Sequence, residues 1–281
     1  MSDTSITRTF RSAGYFEPKP VGEAAQDRPP AIFLAEMPVE IAAKANFLSR
    51  LNAEEYRRVR EIGCEQRIAA GESVFCQGDT HDGIFLIEGG SVRTFYTGPT
   101  GREITLAYWT PGHFVGGPEI FGGGTHMWSG VAVQETRVLR LRGADLYRLM
   151  EQMPRLALGI VEGLVQKGKC YSALVHMLGT RSVIERLAQL LLILADTDGE
   201  TAADGVMIGR SFTHEEMANM VGSTRQWVTM TLDKFQKQGA IRMQGRRIVL
   251  CDRAWICDKA GIAPGMEDTE PAHLSGPVFV R

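Results

Sequence analysis

Residues Ser211–Ile241 read SFTHEEMANMVGSTRQWVTMTLDKFQKQGAI, and the rest of the chain is organised around them. Thr213 followed three residues on by Glu216 is a capping box, in which hydroxyl and carboxylate satisfy amides at a helix start. Met217, Met220 and Val221 give that helix an inward face, and Gly222 ends it, because glycine adopts the left-handed cap without a Cβ clash. Ser223, with Gln226 three residues later, reads as a second capping box. Val228, Leu232 and Phe235 form the buried side of the second helix, and Gly239 closes it. Two capped helices across a glycine turn are the helix-turn-helix pattern.

Beyond Gly239, the segments 241–243 and 247–251 alternate like two strands around the turn Gln244-Gly245-Arg246, which makes a wing. From Arg210 to Arg253 there are eight basic residues against four acidic ones, an excess of four on a chain of net charge −2. Such an excess beside an exposed helix suits phosphate contact. Arginine grips guanine O6 and N7 with two hydrogen bonds, and glutamine does the same to adenine. The residues predicted to touch double-stranded DNA are Ser223, Thr224, Arg225, Gln226 and Thr229 on the second helix, with Lys234, Arg246 and Arg247 for the phosphates. The plainer alternative for the helical pair alone is a solvated hairpin, which the wing and the charge disfavour.

At 281 residues, 44 % hydrophobic and 23 % charged, the chain has room for two soluble domains. Its longest apolar run, 187–195, is too short to span a bilayer and is interrupted by Gln189, so no membrane partner is expected. No export signal opens the chain. Five scattered cysteines without close spacing read as reduced thiols, and the expected location is cytoplasmic.

Residues 1–31 read as a disordered tail and 261–281 as a flexible one. Residues 32–148 form the first domain: from Cys64 to Arg142 short apolar runs alternate with turn glycines, as in a β sandwich or roll. Leu149–Gly179 is one long helical pattern, so 149–181 is read as dimerisation helix and hinge. Ile160, Leu164, Tyr171, Leu174 and Leu178 lie near heptad spacing along it, a seam for a second copy of the chain or, alternatively, for its own β domain. Residues 182–260 complete the winged domain.

This order resembles the Crp–Fnr family of bacterial transcription regulators over roughly residues 45–258. The resemblance is carried by 71–75, Gly78-Asp79, 84–92, Gly101-Arg102-Glu103, 111–117, 186–191 and 221–226. It implies an α+β chain with an N-terminal, double-stranded jelly-roll-like β-roll, a long dimerisation helix and a C-terminal winged helix-turn-helix. It also implies a homodimer that senses an effector in the roll, with RNA polymerase as a partner if the protein activates. By the same resemblance the effector pocket falls on Gly116, Gly117, Glu119, Trp128, Ser129, Tyr171 and Ser172.

Departures from the family pattern bear on the ligand. Gly117 stands where cyclic-AMP binders carry a glutamate for the ribose, and Met127-Trp128 stands where they carry the phosphate-binding arginine. A buried phosphate without a cation is costly, which disfavours cyclic AMP. Residues 1–63 hold no cysteine, which disfavours an iron–sulfur cluster. His113 and His126 leave haem weakly open, and the effector is otherwise unknown. No Walker loop, G-x-S-x-G or H-E-x-x-H occurs and the histidines lack metal-cupin spacing, so neither catalysis nor a metal is expected. The expected function is sequence-specific transcription regulation by a homodimer on a palindromic operator. Alternatives are a cyclic-nucleotide-responsive regulator with a divergent pocket, a ligand-independent regulator, or a sensing module that contacts only proteins.

Overall fold

The structure, a computed structural model, describes residues 50–262; the two predicted tails lie almost wholly outside that range. Helix α1 (Ala53–Ile62) opens on Asn52, which forms a capping box with Glu55. Eight strands follow: β1 (Cys64–Ile68), β2 (Ser73–Phe75), β3 (Gly83–Gly89), β4 (Val92–Thr97), β5 (Glu103–Trp109), β6 (Phe114–Val115), β7 (Ser129–Ala132) and β8 (Thr136–Arg142). They make two antiparallel four-stranded sheets, ordered β1-β8-β3-β6 and β2-β7-β4-β5.

Strand β3 shows why the roll has two cores. Phe85 and Ile87 enter the layer between the sheets with Val92, Trp109 and Val138. Ile84 and Leu86 alternate to the other face, where Leu146, Leu149, Leu156 and Ile160 cover them. Its run of five buried residues therefore satisfies both faces. Strand β8, central in its sheet, comes from Thr136–Arg142, a stretch with no turn glycine to mark it.

The predicted single helix from Leu149 is two helices, α2 (Gly143–Gln152) and α3 (Pro154–Thr180). Proline has no N–H and pushes its predecessor out of the helical region, so Met153 (φ −129°) breaks the pattern and Pro154 begins the next helix. Helix α2 belongs to the roll, with Leu146 and Leu149 in its core. At the other end Arg181 links α3 to α4 (Val183–Asp198), which Ser182 and Glu185 cap reciprocally.

The hairpin β9 (Gly199–Ala202) and β10 (Gly205–Ile208) precedes the helical pair and was not singled out in the sequence. Asp204-Gly205 carried its turn signal, and Gly205 has φ +147°. Helices α5 (His214–Val221) and α6 (Arg225–Lys237) follow, then β11 (Ile241–Gln244), β12 (Arg247–Leu250) and α7 (Arg253–Lys259). The wing is the edge of a four-stranded sheet, β11-β12-β10-β9. Tyr108 of β5 lies in the core of this domain, edge-on to Phe212 at 6.4 Å, so the roll and the winged domain touch directly.

Candidate nucleic-acid interface and effector cavity

Helix α5 is capped as its sequence dictates: Thr213 Oγ1 accepts from Glu216 N at 3.1 Å, and Glu216 Oε2 accepts from Thr213 N at 2.6 Å. Gly222 is left-handed at φ 61°, ψ 44°. The next cap differs from expectation by one residue. Thr224 is the N-cap of α6, its hydroxyl accepting from Trp227 N at 3.3 Å, while Ser223 is buried in the turn. Ser223 is therefore not displayed to a DNA surface.

Arg225 and Gln226 are exposed on the first turn of α6, as a base-reading role needs. Thr229 is only half-exposed, and its hydroxyl donates to Arg225 O at 2.9 Å and meets His214 Nδ1 at 2.7 Å. It ties the two helices together instead of projecting outward. The side chains displayed beside Arg225 are Trp227 and Met230, about half-exposed at 51 % and 57 %. Their spacing with Lys234, three and then four residues, was the signal that places them on one stripe.

The basic excess is also distributed differently from the sequence count. Arg210 pairs with Asp198, Arg242 with Asp204, Arg253 with Asp196, and Arg247 more loosely with Glu200 at 3.6 Å. All four acids lie just before the counted window, which they bring to neutrality. Arg225, Lys234, Lys237 and Arg246 are exposed cations, on α6 and at the tip of the wing. Thus the positive surface is concentrated where the helix and wing meet solvent.

In the roll, a cavity of about 330 Å³ opens between the Val115–Pro118 segment and α3. Gly116, Gly117, Trp128 and Tyr171 line it, as expected, with Trp128 and Tyr171 edge-on at 5.5 Å. Three other expected residues are not in its wall. Glu119 and Ser172 are exposed, and Ser129 Oγ accepts from Gln77 N at 2.9 Å. The wall instead includes Lys167, one turn before Tyr171 on α3. Its ammonium sits 3.6 Å from the Trp109 ring centroid and 4.9 Å from that of Phe114. Burial pulls its pKa down to about 7.

The positions that the resemblance assigns to the ribose and the phosphate are occupied by other groups. His81 fills the space of a side chain at 117, its ring 2.5 Å from where a Cβ would lie. Met127, at the expected arginine position, is exposed. His113 and His126 are both buried; His113 Nδ1 meets Thr110 O at 3.0 Å, and His126 stacks on Phe75 at 4.5 Å. Burial holds the pKa of His113 down at about 4 and lowers that of His126. Among the described residues no group of three His, Cys, Asp or Glu side chains is placed to hold a metal, and no helix is long and apolar enough to cross a membrane.

The expected seam of α3 faces inward. Ile160 is in the roll core with Leu164 against it, Leu174 and Leu178 pack with the winged domain, and Tyr171 lines the cavity. These residues are occupied by their own chain. The adjacent stripe, Leu158, Val161, Val165, Gly168, Ser172, Val175 and Gly179, is exposed throughout and steps by three and four.

Comparison with known proteins agrees with this architecture. Residues 65–153 match the cyclic nucleotide-binding domain, and residues 185–258 match the Crp-like helix-turn-helix domain. The transcriptional regulator LdrP of Thermus thermophilus is 30 % identical over 198 residues, 70 % of this chain and 97 % of that protein. The CRP-like cAMP-activated global transcriptional regulator of Mycobacterium tuberculosis is 26 % identical over 190 residues, 68 % of this chain and 85 % of its own length. A solved CooA variant from Carboxydothermus hydrogenoformans superposes with TM-score 0.65 at 25 % identity, covering 76 % of this chain and 95 % of that one. A DNA-binding transcription regulator is the class that this fold and helical face define. Within that class the chain belongs to the Crp–Fnr family.

Proposed function

We propose that the chain acts as a homodimer on a two-fold symmetric operator, with the roll cavity holding an effector other than a cyclic nucleotide. The observation that carries the dimer is the exposed stripe from Leu158 to Gly179, a heptad repeat without a partner among the described residues. Gly168 and Gly179 have nothing within 4 Å of where a Cβ would lie, so a second backbone fits closely there. Two copies joined along α3 would place their α6 helices in successive major grooves, about 34 Å apart.

The same helix supports a route from cavity to DNA. Lys167 and Tyr171 line the cavity, and Leu178, two turns further on, packs against the turn at Gly222. A ligand favouring one placement of α3 would shift the helix-turn-helix pair between orientations. RNA polymerase would be the further partner if the protein activates, and the DNA-containing cytoplasm its place of work.

Selection of the ligand-free protein against a randomised DNA pool tests this reading. A two-fold symmetric motif is the expected product; a single half-site recovered by a monomer would overturn the dimeric reading.

A further inference from the structure

The cavity of the roll carries one cation and no anion. Its side chains with polar atoms are Thr94, Lys167, Tyr171 and, through its indole N–H, Trp128, and none of its wall is a carboxylate. Lys167 is 9 % exposed and rests on aromatic faces, without an acid partner among the described residues. Burying an ammonium this way is expensive, and the ring contacts return only part of the lost hydration. Thr94 is already engaged: its Oγ1 accepts from Trp109 Nε1 at 3.0 Å and donates to Ala107 O at 3.4 Å. The Tyr171 hydroxyl has no protein partner among the described residues. It lies four residues after Lys167, on the same face of α3.

From this arrangement we infer that the cavity binds a small aromatic carboxylate. Its two oxygens are taken by the Lys167 ammonium and the Tyr171 hydroxyl, and its ring lies in the apolar corner of Trp128, Val115 and Leu164. A volume of about 330 Å³ is at the small end of ligand sites, which run from about 300 to 1,000 Å³. A carboxylate is preferred to a phosphate because the site offers a single positive charge, and because the loop at Gly116-Gly117 brings no cation. An aromatic body is preferred to an aliphatic one because the Trp128 and Tyr171 rings already stand edge-on, an arrangement that a third ring extends. The inference rests on reading the roll as the sensing domain, and it specifies what is sensed.

Calorimetric titration of the full-length protein with benzoate, phenylacetate and indole-3-acetate tests it, each beside its neutral amide. At least one acid should bind with a Kd of about 1 mM or tighter, with its amide about tenfold weaker or more. Lys167→Met should bind acid and amide alike, and Tyr171→Phe should weaken the acid several-fold. Equal binding of acid and amide by the native protein would overturn the inference, as would an acid preference that survives Lys167→Met. It would also fail if none of the acids bound at about 1 mM, whether or not cyclic AMP did. DNA-pool selection on the same preparation separates the two readings. A recovered motif with no bound acid removes the carboxylate and keeps the dimeric regulator, whereas a bound acid with half-sites alone does the reverse.

Discussion

The hydroxyl of Thr229 lies between His214 Nδ1 at 2.7 Å and the Arg225 carbonyl at 2.9 Å, joining the two helices of the DNA-binding pair. A base edge would have to displace these bonds. Thr229→Val should therefore cost about 1 kcal/mol of stability and leave the operator preference in place. Binding to a library of single-base operator variants checks this, and relaxation at one position per half-site would return Thr229 to the base-reading set.

Arg225 and Trp227 are expected to carry that preference. Arg225→Ala should cost about 1–3 kcal/mol and loosen one position per half-site. Trp227→Ala should loosen a different position, since an exposed apolar ring there is suited to a thymine methyl. Uniform weakening on all sequences by both variants would make them backbone contacts.

Salt dependence separates the free cations from the paired ones. Arg246→Ala removes an exposed charge at the tip of the wing and should flatten the plot of log affinity against log salt, by about 0.9 per lost phosphate contact. Arg242→Ala removes a charge already bonded to Asp204 at 2.9 and 3.2 Å and should change the slope little. Equal slopes for native protein and Arg246→Ala would take the wing off the phosphate path.

Two neighbouring positions on α3 should behave oppositely. Val161→Asp places a charge on the exposed stripe, and light scattering should show a folded monomer. Ile160→Ala opens a hole in the roll core, which should cost about 2–5 kcal/mol and leave the dimer mass unchanged. A dimeric Val161→Asp would move the interface elsewhere.

Stability should depend on pH through buried bases. His113 has a pKa of about 4 in the fold against an ordinary value near 6.5, so between those pH values the unfolded chain takes the proton and the folded one does not. Stability is then full above about pH 6.5 and falls as pH drops toward 4, by at most about 3 kcal/mol for this group. Burial lowers the pKa values of His81 and His126 too, with the same sign. Urea melts at pH 7, 6 and 5 should show His113→Gln losing less stability than the native protein. Lys167, at about 7, works at the other end: stability should rise with pH from about 7 toward 10.5. Lys167→Met should raise Tm at neutral pH and flatten this rise.

The sequence by itself determined what short-range chemistry controls. The Thr213–Glu216 box, the left-handed Gly222 and the buried stripe of Val228, Leu232 and Phe235 set the helical pair, because each bond or contact lies within a few residues. The strand alternation of the roll was legible for the same reason, and the ordered matches supplied the family. Only the tertiary structure decided which residues meet across distance. Helix α3 carries apolar residues on two stripes at similar spacing, and its own two domains claim the one containing Ile160 and Leu174, leaving the one containing Val161 and Val175 to solvent. The charge of the winged domain was likewise redistributed once Asp196, Asp198, Glu200 and Asp204 folded back onto its arginines. Lys167 became a cavity cation because the rings of Trp109 and Phe114, remote in sequence, close over its ammonium. Periodicity specifies faces of a helix, whereas burial assigns each face its neighbour, and burial depends on the whole chain.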